Sequence, residues 1–294
     1  MERAEALRES VGDSEGRARL LSESAVGAGA FLGAVPIMQS LRFTHECFVT
    51  ALRIRLGLPH PSIAGIRRCE CGEELPQGIL AGQHLLRCSR GGERTLTHDG
   101  IRDVLYVILR EAGFSVRREA RGIFPLRDGE TEGRVMDLVA ADPQGGPRLL
   151  VDVTVADPLR SAAESAVERG HAARVAEAAR AAKYSDHSPD DTLIPAAIET
   201  FGCLGDPFTG LLRTCAQRAA ALRVSDDSQI AEEASRLLRY YRQRISVSLQ
   251  RSQARAIHHR SARAVQSTLG ARPLPYSGFV GRGDLFTIAG SRDG

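Results

Sequence analysis

The 294-residue chain has no tryptophan, and among its 39 basic residues there is a single lysine, Lys183. A bias this strong toward arginine records GC-rich coding, so by itself it says nothing about function. No run of about 18 apolar residues occurs, which argues against a membrane-spanning helix. The segment from Met1 to Leu20 is charged and lacks the apolar stretch of a signal peptide. Six cysteines in a chain of this length do not make a secreted disulfide scaffold. There is no internal repeat and no Tyr-x-Asp-Asp polymerase signature.

What is present fits an ordinary globular protein, 43% apolar and 26% charged, long enough for one large domain or two smaller ones. The net charge is only +3, so its distribution matters more than its sum. Residues 1–27 are polar and rich in Gly, Ser and Ala, and are expected to be mobile. Residues 28–66 read as a helical linker broken at Pro36, and 67–93 as a Cys/His segment with frequent glycine turns. Residues 94–205 read as an α/β core, and 206–294 as a basic helical extension.

Within the core, Ile101, Val104, Leu105 and Ile108 follow helical spacing. They predict a helix over 98–112, capped by Thr97 or Asp99 and ended by Gly113. Strands are predicted over 114–119, 134–140, 149–155 and 194–201, with an Ala-rich helix over 158–183 between the last two. The first three strands can form an antiparallel meander. The crossover through the helix is long enough to add a parallel fourth. The expected fold is therefore α/β, a mixed sheet flanked by helices.

Two of these strands each carry one carboxylate in an apolar run, Val135-Met-Asp137-Leu-Val139 and Leu150-Val-Asp152-Val-Thr-Val155. An ionised carboxylate there is costly unless it is paired or binds a cation. If the intervening turn centres between Gln144 and Gly145, Asp137 lies opposite Asp152, with Cβ atoms roughly 4.5–5.5 Å apart. Like charges that close repel, and a divalent cation removes the conflict. Mg²⁺ suits an all-oxygen site of one or two carboxylates, waters and phosphate oxygens.

Cys69-x-Cys71, twelve residues, His84, three residues and Cys88 form a CCHC set suited to a closed, structural Zn²⁺ site. The one-residue gap between the first two is tighter than usual, and His45 and Cys47 are substitute ligands. From Arg236 to Arg263 there are eight Arg, two His and no acid. That stretch is a candidate polyanion contact through residues such as Arg242, Arg251 and Arg255, as are Arg67 and Arg68 beside the knuckle.

A helix, a strand carrying Asp137, about fourteen residues and then Asp152-Val-Thr-Val155 resembles the PD-(D/E)XK nucleases, the restriction-endonuclease-like fold. The upstream CCHC knuckle, His98-Asp99 at the helix start and Lys183-Tyr184 on the later helix narrow the resemblance. Together they look like the C-terminal endonuclease region of site-specific non-LTR retrotransposon reverse-transcriptase proteins. The best-matched part is about 67–205. The resemblance implies a Mg²⁺-dependent DNA endonuclease that nicks target DNA for a retroelement. Asp137 and Asp152 would be its metal-binding acids, Lys183 its lysine, Glu119 (ahead of Glu111) a third acid and His98 a phosphate contact. It implies DNA as partner, with the element's RNA beside it, no membrane, no small-molecule substrate, and an intracellular location, nuclear if the cell is eukaryotic. Two departures stand out: Met136 replaces the usual Pro, and Thr154 stands where many such enzymes carry Lys. Two other readings stay open, a catalytically inactive nucleic-acid-binding module and a degenerate retroelement fragment.

Overall fold

A computed structural model describes residues 11–75, 80–127, 129 and 132–268; residues 269–294 of the expected extension lie outside that set. The helices are α1 (Ser14–Glu23), α2 (His45–Leu56), α3 (Leu80–Arg87), α4 (Glu93–Glu111), α5 (Ala162–Ser165), α6 (His171–Lys183), α7 (Asp206–Ala221) and α8 (Asp227–Thr268). The strands are β1 (Ser115–Ala120), β2 (Met136–Ala141), β3 (Arg148–Ala156) and β4 (Asp191–Glu199). They form one sheet in the order β1-β2-β3-β4. The first three are antiparallel, and β4 joins β3 in parallel after the crossover through α5 and α6. The mixed sheet flanked by helices is thus the one expected, with boundaries shifted by a few residues.

The β2–β3 turn forms where its residues demand it. Asp142 accepts the Gln144 N–H on its side chain at 3.0 Å and the Gly145 N–H on its carbonyl, also at 3.0 Å. Gly145 and Gly146 both hold positive φ, which a side chain would oppose. One sheet face packs Leu138, Ala140, Val151 and Val153 against Ile101, Leu105 and Ile108 of α4 and against α7 and α8. The other face packs Met136, Val139 and Leu150 against Tyr184 at the end of α6. Buried on both faces, β3 reads as the near-continuous apolar run 149–155, interrupted by Asp152 and Thr154.

Three expectations change. The helix predicted to begin at residue 98 starts a turn earlier, at Glu93, with Gly92 (φ +83°) as its N-cap. Neither Thr97 nor Asp99 caps it: the Thr97 hydroxyl bonds back to the Glu93 carbonyl, and Asp99 pairs with His98. The segment 1–27 was expected to be mobile, yet it carries α1, capped by Asp13, with Ala18 and Leu21 buried. Ala18 packs on Leu159 and Phe201. Finally, 206–294 is not an appendage over its described part. Phe208, Leu211 and Leu212 of α7 and Leu237, Tyr241, Ile245 and Leu249 of α8 complete the main core. At 42 residues, roughly 60 Å long, α8 also packs Val247 on the linker and Ile257 and Ala264 on the Cys/His segment. It is apolar on different sides in successive stretches, so no single amphipathic period reveals its role.

Candidate functional site

The β2–β3 ladder pairs Leu138 with Val151 and Val139 with Leu150. One step further in that register, Asp137 falls opposite Asp152, the relation expected from the turn. Here the ladder opens. Asp137 Oδ2 accepts the Val153 N–H at 2.7 Å and lies 3.0 Å from His98 Nε2. The other ring nitrogen of His98 lies 3.1 Å from Asp99. Burial alone would lower the His98 pKa, but hydrogen bonds to Asp137 and Asp99, and their charges, overcome it and push it up to about 9. His98 is therefore an imidazolium clamped between two carboxylates, a helical residue that starts neither the helix nor a loop.

Asp152 is buried, and its environment comes from α6. The Tyr184 hydroxyl donates to Asp152 Oδ1 at 2.8 Å. Arg180 Nε lies 3.2 Å from Oδ2, but its N–H is directed at Thr154 Oγ1 (3.0 Å), which also accepts Nη2 at 2.8 Å. The Oδ2 atom thus feels a charge without receiving a hydrogen, and it is buried with no hydrogen-bond partner among the described residues. Burial raises the Asp152 pKa. Arg180 opposes this, the charge of Asp137 adds to it, and Tyr184 and Lys183 oppose it more weakly.

Lys183 is exposed and does not touch either acid directly. Its ammonium donates to the Tyr184 hydroxyl at 2.9 Å and lies 4.6 Å from that ring's centroid. Through Tyr184 it stands less than about 6 Å from Asp152 Oδ1, within the span of a hydrated Mg²⁺ centre. Tyr184 is held in turn by stacking on Phe124, at 4.9 Å between ring centroids. Sequence reasoning noted the Lys-Tyr pair but missed Arg180. The signal was there: Arg180 and Tyr184 are four apart on one helix and so share a face, and Thr154 offers the hydroxyl that fixes the guanidinium.

Glu119 lies between Arg118 and Ala120, whose partners in β2 are Leu138 and Met136 on either side of Asp137. The side chain does not complete the site. Glu119 has φ +49°, leaves the pleat, and is 65% exposed, bound to Arg102 at 2.7 Å. Glu111, the other candidate, pairs with Arg244 at 2.8 Å.

The CCHC set does converge. One ligand atom from each of Cys69, Cys71, His84 and Cys88 lies within 4.8 Å of the others. Cys69 and Cys71 flank a turn closed by Gly72 N–H to Cys69 O and Cys69 N–H to Glu73 O, both 2.9 Å. His84 and Cys88 are four apart at the end of α3. The Cys69–Cys88 sulfurs are 3.8 Å apart, and Cys71 Sγ is 3.3 Å from His84 Nε2. A tetrahedral Zn²⁺ with Zn–S of about 2.3 Å spaces two sulfurs about 3.8 Å apart, so this cluster can hold a metal ion such as zinc. Glu73 approaches His84 Nδ1 to 3.2 Å, the place where a supporting carboxylate orients a ligand imidazole. His45 and Cys47 take no part in the cluster.

The basic stretch is largely structural. Arg260, 2% exposed, pairs with Glu93 at 3.1 Å and donates to the carbonyls of Leu85, Cys88 and Arg90. Arg263 pairs with Glu70 and Glu93. Thus α8 braces the knuckle, and Glu70, uninformative in the sequence, is part of that brace. Arg251 reaches the carbonyls of Gln39 and Arg42 at 3.4 and 3.3 Å, and Arg242 is half-buried against Gly27. Arg255 is exposed, as are Arg67 and Arg68, the last paired with Glu74 at 3.0 Å.

No protein-family pattern matches the chain, and no curated protein matches it either. Among the described residues no helix is long and apolar enough to cross a membrane.

Proposed function

We propose that the chain is a Mg²⁺-dependent DNA endonuclease with a restriction-like core, of the kind that nicks target DNA for a retroelement, and that a Zn²⁺ knuckle braces it. The observation that carries this reading is the convergence of Asp137 and Asp152 where the β2–β3 ladder opens, with Asp152 Oδ2 buried and without a hydrogen. A buried carboxylate oxygen in that condition is costly unless a cation completes it. The donor set is all oxygen, as Mg²⁺ requires.

Bound there, Mg²⁺ would polarise a phosphoryl oxygen and acidify a water. The chain's own residues supply the rest. Asp137 and Asp152 would hold the cation against a phosphodiester. Tyr184 fixes Asp152 and carries the Lys183 ammonium beside it. Lys183, a compact and mobile point charge, neutralises charge developing on the phosphate or orients the attacking water. Arg180, anchored on Thr154, supplies fixed positive charge at the place where many PD-(D/E)XK enzymes use lysine.

The test is nicking of supercoiled plasmid by purified protein with added Mg²⁺. Wild type should nick, Asp152→Ala should not, and Lys183→Arg should lose most cleavage while keeping DNA affinity. Equal nicking by wild type and Asp152→Ala, or none by wild type, refutes the reading. One observation favours the second reading, a silent nucleic-acid-binding core or degenerate retroelement fragment. Both acids already face protein cations, Asp137 the His98 imidazolium and Asp152 Arg180. Salt-sensitive DNA binding without metal-dependent nicking would establish the silent binding core.

A further inference from the structure

Beside the acid pair lies a cleft of about 690 Å³, most of whose lining the proposed chemistry does not use. It runs between α6, the start of α4 and α8, and shares only His98, Thr154 and Arg180 with the acids' surroundings. Its rim is cationic: Arg87, Arg94 and Arg160 stand along it. Asp157 is the one acid in the lining; Arg87 pairs with it at 4.0 Å and with Glu73 at 3.9 Å, while the Arg94 and Arg160 side chains make no ion pair or hydrogen bond among the described residues. Part of its lining is apolar. Ala172, Val175, Ala176 and Ala179 of α6 line one wall at helical spacing. Gln253, 3% exposed, also lines it; its Nε2 donates to the Thr200 carbonyl at 2.6 Å while its Oε1 has no partner among the described residues.

Two guanidinium groups without a hydrogen-bonded partner, those of Arg94 and Arg160, call for phosphate. A narrow wall of alanines calls for a flat apolar face, and a buried amide oxygen without a partner calls for an N–H donor. A nucleotide supplies all three. A duplex supplies only the first, because its base faces are stacked and its base edges paired. The volume is that of a small-ligand pocket, enough for one nucleotide. We infer that this cleft takes an unpaired nucleotide of a single strand, so that the protein holds an unpaired segment next to its acid pair. The choice of a strand over a free nucleotide rests on the nuclease reading. The slot itself does not, since binding needs no cleavage.

The test measures binding without added Mg²⁺, using a fluorescently labelled oligothymidylate and a hairpin duplex of the same length. Wild type should bind the single strand about tenfold more tightly. Ala179→Leu narrows the slot at an exposed, uncharged position. It should lose that preference while its duplex affinity stays within about twofold. Arg160→Gln should weaken binding of the single strand and steepen no other property. Circular dichroism of both variants should match wild type. Equal wild-type binding of the two probes, or an undiminished preference in Ala179→Leu, overturns the inference. So does displacement of the oligonucleotide by thymidine monophosphate at comparable concentration, which would make this a free-nucleotide site. Because nicking is not read, loss of the nuclease proposal and loss of the slot are separate outcomes.

Discussion

Replacing Arg260 with methionine should loosen the knuckle from the rest of the molecule. Methionine keeps much of the aliphatic stem and removes the fork. Three carbonyls, those of Leu85, Cys88 and Arg90, lose a donor, and Glu93 loses one of its two arginines. Leu85 and Cys88 are buried, and a buried carbonyl left without a partner costs about 1–3 kcal/mol. Glu93, itself 2% exposed, keeps Arg263, so its loss is smaller than that of a stranded charge. The expected total is about 4 kcal/mol, and in a protein of this size each kcal/mol moves the Tm by about 2–4 °C. The drop should therefore be on the order of 10 °C by circular dichroism. Zinc release to a chromogenic chelator should quicken in parallel, because two of the freed carbonyls lie next to or on ligand-bearing residues. Arg260→Lys should recover only part, since one ammonium cannot reach the planar spread of acceptors. Arg236→Met, at an exposed helix pair with Glu233, is the control and should cost less than about 1 kcal/mol. A Tm within 2 °C of wild type by this measurement, or unchanged zinc release, would refute the claim that α8 braces the knuckle.

Two further outcomes follow from charges away from the acid pair. Glu177 is buried and its pKa is raised from 4.5 to about 7, by burial first and by Asp206 second. The folded state therefore prefers the protonated form, and the stability this group contributes is present below about pH 4.5 and lost as pH rises through about 7. Glu177→Gln should flatten that dependence and gain up to about 3 kcal/mol at pH 8 in urea unfolding; a parallel pH profile would count against it. Glu119→Gly should gain about 1 kcal/mol, because relief of a left-handed residue exceeds the loss of an exposed ion pair. It should also leave Mg²⁺-dependent nicking within about twofold, and a sharp loss of nicking would restore Glu119 as a metal ligand.

The order of strands, their pairing and the Asp137–Asp152 register were legible because each rests on local chemistry. The Val- and Leu-rich runs 134–140 and 149–155, the glycine-rich turn after Asp142 and the length of the crossover together allow few arrangements. The four knuckle ligands were legible for the same reason, since spacing along the chain sets which thiols can meet. What could not be read depends on contacts distant in sequence. Arg260 looks like any arginine of a basic helix until Glu93, Leu85 and Cys88 are brought to it from about 170 residues away. Glu119 lies near the end of the first strand as read from the sequence, but its backbone, at φ +49°, turns its side chain out, and nothing in its local sequence signals that. The early start of α4 depended on Gly92, a cap that adds no side-chain signal.

The single lysine takes on a definite meaning beside Arg180. Both lie within one turn of α6, and both face Asp152, one directly and one through Tyr184. Their chemistry divides the work. Arg180 is a planar fork with two donors fixed on Thr154, which suits a permanent charge that must not move. Lys183 is exposed and held by one hydrogen bond to a hydroxyl, which leaves its charge free to move; under the proposed nuclease reading it would swing toward a phosphate and back. A guanidinium at 183 would be longer and planar, and it would compete with Arg180 for the same small group of oxygens. Every other basic residue of the chain is arginine, and under the proposed nuclease reading position 183 is the one that arginine could not serve.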